Sequence, residues 1–106
     1  MNARLRQILA EFGRGLNALY GSRLVGVVLY GSQARGATGP ESDIDVMVVL
    51  RGPVDSNDEI RRVSPLAGAV SLKYDVVISC VYASEEAYRG DESPLLLNVR
   101  REGILV

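Results

Sequence analysis

The residues best suited to chemistry in this sequence are two aspartates at the start of an aliphatic segment. Asp43 and Asp45 stand one residue apart in "DIDVMVVLR", residues 43 to 51, which predicts a strand. Successive side chains of a strand point to opposite faces, so both carboxylates project from one side, with α-carbons about 6.5 to 7 Å apart. Carboxylates held so close repel each other, and the usual outcome is a raised pKa or a bound cation.

A third aspartate extends this pattern. Asp75 opens the apolar part of "YDVVISCVY", residues 74 to 82, which predicts another strand. If the two strands are neighbours in the sheet, Asp43, Asp45 and Asp75 meet at one end of it. Three carboxylates suit a hard divalent cation with oxygen ligands, and we expect magnesium.

A glycine and a serine upstream are suited to a phosphate. Gly31 and Ser32 follow "LVGVVLY", residues 24 to 30, which predicts a strand buried on both faces. Glycine lets a phosphate approach the backbone closely, and a helical turn beginning at Ser32 would present free amides and a hydroxyl to an anion. A phosphate cradle beside an acid cluster indicates metal-assisted phosphoryl or nucleotidyl transfer.

Each signal is weak alone, because aspartates often open strands or cap turns, and the combination is what favours a functional site. Competing motifs are absent. The sequence has no G-x-x-x-x-G-K-[ST], and Met47 and Val48 stand where a calcium-binding EF-hand loop needs an oxygen ligand and a glycine. The sequence contains no histidine, which excludes Ser-His-Asp triads and histidine-ligated zinc. Cys80 is the single cysteine, and we expect it in the core.

Length and composition predict one soluble domain over residues 1 to 106. Hydrophobic residues make up 47% and charged residues 24% of the chain, and the net charge is −1. No basic field indicates a nucleic-acid partner. No uninterrupted apolar run reaches the roughly 18 residues that a membrane span needs, and we expect a cytoplasmic protein.

Helices and strands alternate around these residues. Apolar spacing predicts a helix over residues 2 to 20, with Leu19 on its buried side, and another from Asp55 or Ser56 to about Leu72, which Pro65 should kink or split. A short helix should follow Ser84, and a last helix should cover "PLLLNVRRE", with Gly103 past its end. This order predicts an α/β or α+β fold with a central sheet covered by helices.

The segment "GSQARGATGPESDIDVMV" resembles the signature of the DNA polymerase beta-like nucleotidyltransferase superfamily, in particular its minimal nucleotidyltransferases of the MNT or MntA type. The resemblance covers the whole chain, and "SPLLLNVRREGILV" is similar to the family's C-terminal helix and its Asn-x-x-x-Glu-Gly ending. It implies the polymerase beta-like fold, a mixed sheet with helices packed against it. It also implies that a nucleoside triphosphate gives its nucleoside monophosphate to a hydroxyl and releases pyrophosphate.

Carried over residue by residue, the resemblance implies that Gly31 and Ser32 hold the triphosphate of ATP. Asp43 and Asp45 would bind two magnesium ions, and Asp75 would complete the metal site nearest the attacking hydroxyl and help to deprotonate it. In such sites the two ions lie about 3.5 to 4 Å apart.

Three further side chains near these residues are assigned less specifically. Arg35 either contacts the triphosphate or pairs with Glu41 or Asp43 to hold the loop. Tyr30 and Tyr74 are expected to be packing residues.

The resemblance also implies a protein acceptor. Minimal members of the family commonly act as antitoxins that transfer AMP to a tyrosine of a separate HEPN-domain toxin. Three consecutive leucines in "PLLLNV" cannot all face inward on one helix, so they favour a partner surface, self-association into a homo- or hetero-oligomer, or packing at the chain end. The alternative to the enzyme is a module that binds nucleotide, if at all, only structurally and masks its partner by contact. The three acids favour the enzyme, and transfer to a small molecule, which in larger relatives uses a second domain, is disfavoured.

Overall fold

The structure has a mixed four-stranded sheet covered by helices, which confirms the fold expected from the sequence. The computed structural model describes residues 1–36 and 43–106. Its helices are α1 (Ala3–Tyr20), α2 (Ser56–Tyr74), α3 (Glu85–Gly90) and α4 (Pro94–Glu102), with a short 3-10 helix at Gly21–Arg23. Its strands are β1 (Leu24–Tyr30), β2 (Ile44–Leu50), β3 (Ile78–Ser84) and β4 (Ile104–Leu105), in the order β3-β2-β1-β4. Strand β2 is antiparallel to β1 and parallel to β3, and β4 is antiparallel to β1. Nowhere in these two ranges is a helix both long and apolar enough to cross a membrane.

Both faces of the sheet are covered, which explains the nearly continuous apolar sequence of the inner strands. Even-numbered residues of β2, such as Val46 and Val48, join a core with α1 and α2. Odd-numbered residues, such as Met47 and Val49, join a smaller core to which α4 contributes Leu96 and Val99. The strand therefore separates two environments, which we call the α1–α2 face and the α3–α4 face.

Helix α1 follows its predicted apolar spacing with one exception. Asn2 caps the helix, because its side-chain oxygen accepts a hydrogen bond from the amide of Leu5 at 2.8 Å. Phe12 and Leu16 are fully buried. The prediction for Leu19 is wrong, since that side chain is exposed and Tyr20 is buried in the last turn.

Helix α2 is continuous through Pro65, so the predicted split is wrong. Asp55 caps the helix by accepting a hydrogen bond from the amide of Asp58 at 3.2 Å. A proline inside a helix costs about 3 kcal/mol. Val63 and Val70, on either side of the proline, are buried in the α1–α2 core, and their burial offsets that cost.

The ends of two strands differ from the expectation. Strand β3 begins at Ile78 and not near Tyr74, because α2 continues through Tyr74. Strand β4 was not predicted. Its two residues are too few to show an alternation, and its place beside β1 depends on pairs distant in sequence, Val28 with Leu105 and Leu29 with Ile104.

A buried carboxylate joins the end of α1 to α2. Glu59 is 3% exposed and accepts a hydrogen bond from the Tyr20 hydroxyl at 2.8 Å. Nitrogen atoms of Arg23 and Arg62 lie 3.3 and 3.7 Å from the carboxylate, and both guanidinium groups lie over the Tyr20 ring. Burial, followed by the hydrogen bond and charge of Glu59, raises the pKa of Tyr20 to about 12. These contacts hold α2 against the 3-10 helix at Gly21–Arg23, which leads into β1.

Replacing Glu59 should therefore destabilise the protein strongly. In Glu59→Ala the Tyr20 hydroxyl and two guanidinium groups lose their shared acceptor, and we expect the free energy of unfolding to fall by about 2 to 4 kcal/mol. Asp58→Asn is the matched control, since it breaks the exposed Asp58–Arg61 pair on the same helix turn and should cost no more than about 1 kcal/mol. Urea unfolding of both variants measures the difference, and equal losses would contradict this account of the cluster.

Candidate active site

The two paired aspartates lie where β2 begins. Asp43 immediately precedes the strand and is exposed, whereas Asp45 is the second strand residue and is half-buried. Ile44 and Val46, on either side of Asp45, are buried in the α1–α2 core, so Asp45 projects from the α3–α4 face. Burial, and next the charge of Asp43, raise the pKa of Asp45, while Arg35 opposes the shift. The two carboxylates repel each other, and a cation bound to them would relieve the repulsion.

Gly31, the residue after β1, lies directly against the Asp45 carboxylate. The register pairs Tyr30 with Asp45, and Gly31 follows with a φ of +75°. A β-carbon added to Gly31 would lie 2.5 Å from Oδ2 of Asp45. Only glycine is suited both to this backbone conformation and to this close approach, so the Asp45 carboxylate occupies space that a side chain at position 31 would need.

Residues 31–36 form successive turns. The amide of Arg35 donates to the carbonyl of Gly31 at 3.2 Å, and the amide of Gly36 donates to the carbonyl of Gln33 at 3.3 Å. Ser32 is half-buried in the first of these turns. The helical turn expected at Ser32 is thus limited, within residues 31–36, to one i to i+4 hydrogen bond. Residues 37–42, which include Glu41, one expected partner of Arg35, lie outside the described residues.

Arg35 pairs with the end of α4. Its Nη1 lies 3.1 Å from Oε2 of Glu102, 67 residues away in sequence, and this pair was not among the partners considered from the sequence. The Glu-Gly ending was visible as part of a family pattern, but no spacing rule connects positions so distant. The positive charge of Arg35 also opposes the rise in the pKa of Asp45, so Arg35 connects α4 electrostatically to this aspartate.

The glycine after Glu102 explains how α4 comes so close to β1. A β-carbon on Gly103 would lie 2.3 Å from the carbonyl oxygen of Val99 and 2.5 Å from Cγ1 of Val28. The amide of Gly103 donates to that same Val99 carbonyl at 2.8 Å. A larger residue would push the helix end off β1, and Glu102 would move with it.

The structure does not bring Asp75 to the other two aspartates. Asp75 is the C-terminal cap of α2, in the left-handed conformation with φ 54°, so the expectation that it opens β3 is wrong. Its amide and that of Val76 both donate to the carbonyl of Ser71. Val76 then packs against the α1–α2 core, whereas Asp45 projects from the α3–α4 face. No group of three His, Cys, Asp or Glu side chains suited to a metal ion occurs in residues 1–36 and 43–106.

The β3 residue beside Asp45 is Ser79. The two strands are parallel with Asp45 opposite Ser79, and side chains at paired positions project from the same face. Ser79 is half-buried. The sequence does not identify this serine as a site residue. The predicted strand begins at residue 74 and β3 at Ile78, and the register of two parallel strands leaves no local pattern in the sequence.

The carboxylates of Asp43 and Asp45 are chemically suited to bind a divalent cation. Both offer only oxygen atoms, their negative charges repel, and the space beside Asp45 is kept open by Gly31. The donor set that the described residues supply is two carboxylates and not the three that were expected.

The residues expected to pack do so. Tyr30 packs against the core of the α3–α4 face, and burial, followed by the charge of Asp45, raises its pKa. Tyr74 packs against the α1–α2 core, and its hydroxyl donates to Glu11 at 3.0 Å. Cys80 packs against the same core, where burial raises the pKa of its thiol to about 11.

Comparisons with known proteins agree with this geometry. The model of the nucleotidyltransferase domain family matches residues 5–97. Two proteins of Methanocaldococcus jannaschii, assigned provisionally as protein adenylyltransferases, are similar to this chain. One is 34% identical over 73 residues, which are 69% of this chain and 73% of that protein. The other is 39% identical over 80 residues, which are 76% of this chain and 74% of that protein.

Solved structures share the fold. A protein described provisionally as a minimal nucleotidyltransferase superposes with a TM-score of 0.62 at 26% identity, over 96% of this chain and 95% of its own. A toxin-antitoxin crystal structure with AMP-PNP superposes with a TM-score of 0.63 at 22% identity, over 89% of this chain and 68% of its own, and supports the fold alone. Because the family match runs from α1 into α4, this chain belongs to the nucleotidyltransferase domain family and is a nucleotidyltransferase of the minimal type.

Proposed function

We propose that this nucleotidyltransferase transfers AMP from ATP to a hydroxyl of a partner protein, with Asp43 and Asp45 holding magnesium. The observation that carries the proposal is the Asp45 carboxylate, placed against Gly31 at the end of β1 and beside the charge of Asp43. The similarity to two proteins assigned provisionally as protein adenylyltransferases supports a protein acceptor. The structural neighbour crystallised with AMP-PNP supports an adenine nucleotide.

Asp43 and Asp45 would hold the cation through their carboxylate oxygens. When bound, magnesium neutralises the charge of a triphosphate and stabilises the oxygen that leaves. The chain's own contribution is to keep the two acids together at the start of β2. Two ions are expected from the resemblance, and with the two carboxylates of Asp43 and Asp45 at the site the second ion would take its other ligands from nucleotide, water or acceptor.

The turn after β1 would receive the triphosphate. Gly31 brings no side chain into the space beside Asp45, and Ser32 follows it with a hydroxyl donor. Arg35 is the nearby cation, and we propose that it leaves Glu102 for the triphosphate when ATP binds. An ion pair as exposed as Arg35–Glu102 contributes only about 0 to 1 kcal/mol, so a highly charged triphosphate competes for the arginine easily.

In the proposed reaction the acceptor oxygen forms a bond to the α-phosphorus of ATP. The bond between that phosphorus and the oxygen bridging to the β-phosphate breaks, pyrophosphate leaves, and the hydroxyl proton passes to solvent. The acceptor we propose is a tyrosine of a HEPN-domain toxin, which this protein would neutralise as an antitoxin. Other structural neighbours of 22% and 18% identity are MntA-HpeT toxin-antitoxin crystal structures, and they supply this context.

The exposed leucines of α4 support a partner surface. Leu96 is buried, whereas Leu95 and Leu97 are 43% and 41% exposed, as expected for three consecutive leucines on one helix. The helix ends at Glu102, which contacts Arg35 of the proposed triphosphate turn. A protein bound along α4 would therefore reach the aspartates from their own face of the sheet.

Transfer should depend on Asp45. With α-labelled ATP, magnesium and the protein encoded by the neighbouring gene, we expect label on that partner with the wild type and a loss of at least about 100-fold with Asp45→Asn, because the variant removes half of the cation-binding charge. Glu92→Gln, at an exposed position, is the control and should retain activity. If Asp45→Asn neutralises the partner fully while no variant transfers label, the protein acts by contact and the proposal is wrong.

Position 31 should tolerate no side chain if the close contact with Asp45 matters. Gly31→Ala places a β-carbon in contact with the carboxylate, and we expect transfer to fall by at least about tenfold because Asp45 must move. Gly36→Ala is the matched control, since Gly36 has a similar φ of +82° but open space around its β-carbon position.

The two glycine variants separate backbone strain from the contact. Both should lose about 1 to 2 kcal/mol of unfolding free energy, because an L-residue is strained at these φ values. Urea unfolding and initial rates of label transfer measure the two effects. Equal activity of the two variants would contradict the importance of the Gly31–Asp45 contact.

A further inference from the structure

We infer that Ser79, and not Asp75, is the β3 residue of the cation site, so that this chain binds its cation with two carboxylates and has a hydroxyl where a third would be. The inference rests on the proposed function, since it concerns the cation assigned to Asp43 and Asp45. It departs from the ligand set that the family resemblance implies for this chain.

The register of the parallel strands carries the inference. Asp45 is opposite Ser79, and the preceding pair of Ile44 with Ile78 is buried in the α1–α2 core. Asp45 and Ser79 therefore project together from the other face. Neighbouring strands lie about 4.8 Å apart, so these two side chains start close enough to share one ion.

The backbone conformation of Asp75 sets this residue apart from β3. Its φ of 54° belongs to the helix cap, so the alternation of β3 does not extend back to it. The guanidinium of Arg4, from α1, donates to the carbonyl of the preceding residue, Tyr74, and the amide of Val76 donates to the carbonyl of Ser71. These contacts hold this segment on the α1–α2 side. Asp75 is exposed there, and its role is to end α2, since aspartate and asparagine tolerate the left-handed conformation.

One residue from each of three neighbouring strands lies in a row on the α3–α4 face. Tyr30 of β1, Asp45 of β2 and Ser79 of β3 occupy consecutive in-register positions on one face, with Asp43 two residues before Asp45. Ser79 offers a neutral oxygen to a ligated water or to an acceptor group and adds no charge. Fewer carboxylates mean weaker cation binding, because affinity for hard cations rises with ligand charge.

A carboxylate placed at position 79 should therefore strengthen cation binding. Manganese stands in for magnesium, and its binding is followed by electron paramagnetic resonance on the full chain without ATP or acceptor. We expect Ser79→Asp to tighten manganese binding at least about fivefold. It should also lower Tm without the cation, through repulsion with Asp45, and raise the Tm gain on adding manganese. Ser79→Asn, of the same shape without the charge, should stay within about twofold of the wild type.

Asp75→Asn provides the second variant. Asparagine preserves the helix cap, so the fold is retained and manganese affinity should stay within about twofold of the wild type, whereas Asp45→Asn should lose at least about tenfold. A loss in Asp75→Asn as large as that in Asp45→Asn overturns the inference, whether or not Ser79→Asp folds. Unchanged manganese affinity in a folded Ser79→Asp overturns it as well.

The two proposals fail in different ways. Manganese binding is measured without nucleotide transfer, so an absence of label on every acceptor would sink the proposed function and leave the assignment of Ser79 intact. Label transfer combined with manganese binding that needs Asp75 would support the proposed function and overturn the assignment of Ser79.

Discussion

The contact between Gly31 and Asp45 is the constraint on which the site depends. The antiparallel register of β1 and β2 brings the last residues of one strand to the first residues of the other, and the missing β-carbon of Gly31 leaves room for the Asp45 carboxylate. Even a half-buried carboxylate is costly unless something compensates for its charge. The sheet, with a hydrophobic core on each face, holds this costly group in place, and in the proposed function a cation and a nucleotide would compensate for its charge.

The C-terminal part of the chain contacts both β1 and the turn that follows it. Gly103 lets α4 approach Val28 of β1, the final strand pairs with β1, and Glu102 reaches Arg35 in the turn. The Asn-x-x-x-Glu-Gly ending thus has a physical reason, since the glutamate holds the only cation among the described residues that shifts the pKa of Asp45. The end of α4 and the turn after β1 are one unit, although most of the chain separates them in sequence.

Features with a local pattern were predictable from the sequence. The alternation of β2 predicted that Asp45 projects away from the α1–α2 core, and apolar spacing and capping residues located all four α-helices of the described chain. Features set by distant pairing were not. The parallel register that puts Ser79 beside Asp45 has no local signal, nor does the Arg35–Glu102 pair. The misplacement of Asp75 has a specific cause, because a tyrosine followed by aspartate and valines is typical of a strand, and only the continuation of α2 through Pro65 shows that Asp75 caps a helix.

These observations describe a minimal nucleotidyltransferase whose proposed cation site lies mainly at the start of one strand. Asp43 immediately precedes β2, Asp45 lies within it against Gly31, which follows β1, and Ser79 of β3 is opposite Asp45. The most direct test is a crystal structure with manganese and a non-hydrolysable ATP analogue, in which the anomalous signal locates the metal. The account predicts manganese bound to the carboxylates of Asp43 and Asp45, with Ser79 as the nearest β3 side chain and Asp75 unligated at the end of α2. Manganese coordinated by Asp75, or bound away from Asp45, would contradict it.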